Sequence, residues 1–191
     1  MLDAGSIRGG FPADYYARMI PPQDQPLVRA IAAATGTDRY PKIDVELQSG
    51  TDKPWTCAFE GSEDRSSLFT TPNPLVAGLA ANESYVLYLI NARTHRIDEV
   101  SISTPAECAA SDLANGRLFV ATAINVVAIG RSGFLWGSKR VSLDGISMLT
   151  YAEGCVRGVG NEPGGNPVKF SVNASSGEAH GGFDFNLAGP E

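Results

Sequence analysis

At 191 residues, 43% hydrophobic and 19% charged, the chain is too apolar for a disordered polymer and long enough for one domain with a substantial core. Its formal net charge of −6 argues against nucleic-acid binding, which needs a basic face, and against docking on an anionic membrane. With 21 glycines and 12 prolines, the composition favours many turns and short strands over long helices.

From the N-terminus, residues 1–22 are turn-rich and end in Pro21-Pro22. They read as a loosely attached arm that Phe11, Tyr15 and Tyr16 pin to the body of a single domain, 1–191. No apolar stretch follows a basic start, so no signal peptide is expected, and the longest apolar run, 118–129, is too short to span a membrane. These features predict a cytoplasmic protein. Asp24, the helical spacing of Leu27, Val28 and Ile31, and Gly36 predict one short helix over about 24–35.

Beyond Pro41 the period changes to two. Ile43, Val45 and Leu47 alternate with Asp44, Glu46 and Gln48, predicting a strand with one wet face, and residues 55–59 predict its return. Residues 61–65 read as a charged loop, and 70–74 as loop because prolines interrupt them. Strands are expected at 85–90 and 97–102, then a connection over 105–112. Asn115-Gly116 signals a hairpin because both residue types tolerate positive φ. Further strands are expected at 118–122, 126–129, 134–136, 141–143, 147–151, 155–159 and 168–172. Val86–Ala92 resembles Val168–Ala174, both strands entering a turn through Asn-Ala, although two hairpins can match by chance.

Motifs that carry chemistry are scarce. The three cysteines, Cys57, Cys108 and Cys155, are far apart and form no CxxC, so neither a disulfide framework nor a zinc site is expected. Glu178 and His180 stand two residues apart, a conceivable metal pair, but no third ligand can be named, so no metal or cofactor is predicted. Gly130-Arg-Ser-Gly133 is not a nucleophile elbow, and Gly158, Gly160, Gly164 and Gly165 lack the strand-to-helix setting of a phosphate loop. Glu60, Glu63 and Asp64 cluster in a polar stretch, where a solvated loop competes with an acidic docking patch. Trp136 and Arg140 lie in the most distinctive segment. They read either as interface anchors or as a core plug beside a solvated cation.

Within Leu118–Gly182, the run Phe134-Leu-Trp136-Gly-Ser138, Val141-Ser-Leu-Asp144-Gly145-Ile146, Gly158 and Gly160, Val168–Val172, Ser176-Gly177-Glu178 and Gly181-Gly182 resembles a module of uncharacterised bacterial β-rich proteins. This resemblance covers about a third of the chain and implies one four-stranded, propeller-type blade. Gly137 and Ser176 depart from the usual pattern, and no catalytic residue is carried over. The resemblance also implies accessory or immunity-type proteins of toxin systems. The expected fold is all-β, an antiparallel sandwich or partial propeller with one short N-terminal helix. The expected function is non-catalytic protein binding, with a basic bacterial toxin as partner and Glu60, Glu63, Asp64, Trp136 and Arg140 as contact residues. The alternatives are a hydrolase with a non-motif site around Glu178, His180 and Asp184, and a subunit that oligomerises through sheet edges.

Overall fold

A computed structural model describes residues 15–20, 42–49, 53–60, 67–70, 77–81, 85–91 and 93–183. Among them the chain is all-β and antiparallel, with no helix. The helix expected over 24–35 lies outside the described residues. Within the N-terminal arm, Tyr15–Ile20 is a strand.

The strands fall into successive meanders, each sheet following chain order. The first holds β1 (Tyr15–Ile20), β2 (Lys42–Ser49) and β3 (Trp55–Glu60). The second holds β4 (Ser67–Thr70), β5 (Ala77–Ala81), β6 (Val86–Ile90) and β7 (Ile97–Ser101). The third holds β8 (Ala106–Asp112), β9 (Arg117–Thr122), β10 (Val126–Gly130) and β11 (Gly133–Gly137). The fourth holds β12 (Ile146–Ala152), β13 (Cys155–Asn161), β14 (Pro167–Asn173) and β15 (Ala179–Gly181). The first strands of the last three sheets are neighbours, β8 lying against both β4 and β12.

The third sheet explains the long apolar run. Leu118, Val120, Val127 and Ile129 join Phe69, Leu87 and Leu89 of the second sheet in one core. Phe119, Ala121, Val126 and Ala128 point the other way and join Val156, Phe170 and Val172 of the fourth. The register agrees, pairing Val127 with Val120 and Ala128 with Phe119. A strand buried on both faces has no wet positions, so its sequence shows no alternation.

Three expectations need correction. Residues 106–112 form β8, not a connection. The run AECAASD lacks β-branched residues, and pairing along β9 makes it a strand despite its composition. Part of the expected loop around 70–74 is strand, since β4 ends at Thr70 and pairs with β5. Conversely, 141–143 is not a strand. Val141 and Ser142 donate their N–H groups to the Ile124 carbonyl, and Leu143 donates to that of Asn161, so no ladder forms.

The resemblance between Val86–Ala92 and Val168–Ala174 has a structural counterpart. Both begin in the third strand of a four-stranded sheet. Asn91 Oδ1 accepts from the Arg93 and Thr94 N–H groups, each at 3.0 Å. Asn173 Oδ1 accepts from Ser175 and Ser176 at 2.9 and 3.1 Å. In both turns the asparagine carbonyl accepts from the fourth residue on, His95 or Gly177, and that residue has positive φ. Both turns are the same device, an asparagine side chain standing in for a backbone acceptor.

Candidate functional site

The asparagine-capped turns are also where adjoining sheets meet. Trp136, on β11, donates its indole N–H to the Ala174 carbonyl at 3.3 Å. Its ring lies so close over Gly177 that a Cβ there would come within 2.8 Å of ring carbons. Arg117, opening β9, donates to the same Ala174 carbonyl at 3.0 Å and to Ser175 Oγ at 3.2 Å. The first sheet meets the second in a similar way. Trp55, opening β3, stacks on His95 with ring centroids 4.3 Å apart. Thus the last strand of one sheet presents a tryptophan to the fourth position of the next sheet's asparagine turn. The segment 118–182 therefore spans three strands of the third sheet and the whole of the fourth.

Beneath this contact the β8–β9 turn is fixed by Asp112, 1% exposed. Its Oδ1 accepts from the Asn115 backbone N–H at 3.1 Å, and its Oδ2 from Asn115 Nδ2 at 2.8 Å. Burial is the largest single influence on this carboxyl and opposes ionisation. The Asn115 donors, the Tyr151 hydroxyl and the Arg117 charge together outweigh it and hold the pKa below its usual value. Tyr151 is shifted upward, first by its hydrogen bond to Asp112, then by burial and the Asp112 charge. Phe119 stacks between Trp136 and Tyr151, at 5.8 and 5.5 Å.

The β8–β9, β10–β11 and β14–β15 turns enclose an open groove of about 450 Å³. Arg117, Arg131, Ser132, Leu135, Trp136 and Ser175 are among its walls, and among the described residues no acidic side chain lines it. Next to it, β11 is an edge strand on which Phe134 and Leu135 are 51% and 42% exposed.

Among the described residues, those singled out in the sequence do not converge. Trp136 is half-buried and engaged as above. Arg140 is turned back onto its own loop, donating through Nε to the Ser142 carbonyl at 2.9 Å and through an η nitrogen to that of Leu143 at 2.7 Å. Glu60 ends β3 opposite Lys42, while Glu63, Asp64 and Asp184 lie outside the described residues. Glu178 Oε1 and His180 Nε2 stand 3.9 Å apart on the exposed surface. Among the described residues no three His, Cys, Asp or Glu side chains gather as metal ligands. The three cysteines form no disulfide and are half-buried. Gly158 and Gly160 are strand residues over which Phe170 and Ser142 lie closely, a packing reason for their lack of a side chain. Arg117 and Arg131 went unnoticed because Asn115-Gly116 and Gly130–Gly133 signal turns singly. Only the fold brings those turns together.

No helix among the described residues is long and apolar enough to cross a membrane. Comparison with known proteins finds no matching family model and no matching curated protein.

Proposed function

We propose that this chain is a non-catalytic protein-binding domain of immunity type, an inhibitor of a basic bacterial toxin, built as a partial propeller and working in the cytoplasm. The propeller reading is supported by successive meanders in chain order, by the adjacency of β4, β8 and β12, and by a third sheet that buries both faces. A two-sheet sandwich leaves one face of every sheet outward.

The observation that carries the binding reading is the open edge of the third sheet. Among the described residues no strand pairs with the outer edge of β11, and exposed Phe134 and Leu135 flank it, a template for strand addition by a partner. The net charge of −6 and the trio Glu60, Glu63 and Asp64 supply attraction for a basic partner.

The test is capture from the native lysate with tagged protein, then affinity measurement with the purified partner. A stoichiometric basic partner that salt releases is expected. Phe134→Ser should weaken binding through the dissociation rate, and Glu60→Lys with Glu63→Lys should slow association. Absence of a partner, or binding indifferent to both changes, would remove the reading. The same edge also supports self-association, which light scattering distinguishes by a concentration-dependent mass.

A further inference from the structure

The groove beside β11 is cationic in an acidic protein. Among the described residues its walls carry two arginines and no carboxylate, although the chain carries 21 Asp and Glu against 15 Lys and Arg. The two guanidiniums are not equivalent. Arg117 spends one η nitrogen on Ala174 and Ser175 and feels the buried Asp112 charge. Arg131, exposed at the β10–β11 turn, makes no hydrogen bond or ion pair among the described residues. Trp136 and Leu135 supply the apolar part of the lining, and the Ser132 and Ser175 hydroxyls can donate as well. The volume falls in the range of small-molecule sites, which are mostly apolar with a few convergent polar groups.

We propose that this groove binds a small organic anion, a carboxylate or phosphate monoester on a planar apolar body. Arg131 pairs with the oxyanion in the forked geometry that guanidinium favours. Arg117 adds charge from below, and the body of the ligand lies along Trp136 and Leu135. The groove shares Leu135 with the proposed docking edge, but Phe134 is not among its walls, and the anion pairing through Arg131 does not depend on that docking.

Titration of the full-length chain followed by amide and indole NMR tests the proposal, with benzoate and phenyl phosphate as probes and benzyl alcohol as the neutral control. Both anions should cause saturable shifts at Arg131, Ser132 and the Trp136 indole, with affinity in about the millimolar range or tighter and falling with salt. Arg131→Gln should weaken binding about fivefold or more, whereas Arg131→Lys, which keeps the charge, should lose less. Preference for benzoate over phenyl phosphate, or the reverse, identifies the anion class. No saturable shift, equal shifts from benzyl alcohol, or an unchanged affinity in well-folded Arg131→Gln would overturn it.

Discussion

Among the described residues, Asp112 is a carboxylate through which pH acts on the fold. Its pKa is depressed in the fold, so its contribution to stability is present above the unfolded carboxylate value, about 3.9, and is lost as pH falls through the folded value. Tyr151 runs the other way. Raised in the fold, it contributes fully below about pH 10 and loses that contribution as pH rises through its folded value. Asp112→Asn should therefore cost about 1–3 kcal/mol at neutral pH and flatten the acid limb of a melting-temperature profile. Thermal denaturation from pH 3 to 8 checks it, and a variant with an undiminished acid limb would show that another carboxylate governs. Gly177 is constrained twice, by a φ of 76° and by the overlying Trp136 ring. Gly177→Ala should cost about 2–4 kcal/mol in urea titration, the sum of a left-handed backbone and a displaced ring.

At the scale of elements, the β12–β13 hairpin carries a residue that its turn does not favour. Both turn residues, Glu153 and Gly154, have positive φ, at 51° and 77°. Such a turn favours Asn-Gly. Glu153→Asn should stabilise the chain by about 0.5–1 kcal/mol in the same titration. The ion pair it removes, Glu153 to Arg157 at 3.8 Å, is exposed and contributes little. Legibility also varied by element. β2 was readable because Ile43, Val45 and Leu47 alternate with polar residues, and β6 because aromatic and β-branched residues favour pleated packing. β8 was not, since its alanines carry no sheet preference and its state depends on β9 and β12 on either side. The Trp136 segment drew attention for its composition, but whether the ring faces a partner or a neighbouring sheet is a matter of where residues 173–177 come to rest.

At the scale of the whole molecule, the third sheet is the shared wall of two cores. Opening either core exposes one of its faces, so amide exchange should be slowest in β9 and β10 and faster in β15 and the exposed turns. Hydrogen exchange with mass-spectrometric readout tests this ranking, and equal protection across all sheets would contradict it. Leu118→Ala and Phe119→Ala, adjacent in chain but facing opposite cores, should each cost several kcal/mol, roughly 2–5.

The sequence by itself determined the all-β class, most strand positions after residue 41, and the asparagine turns, because these depend on local period, backbone permissiveness and short-range hydrogen bonds. Tertiary structure alone decided which strands share a sheet, that the apolar run 118–129 lies between two cores, and that the β8–β9, β10–β11 and β14–β15 turns enclose a cationic groove. Arg117, Arg131 and Ser175 are distant in the chain, and no local preference encodes their meeting. It follows from how the faces of successive sheets bury one another.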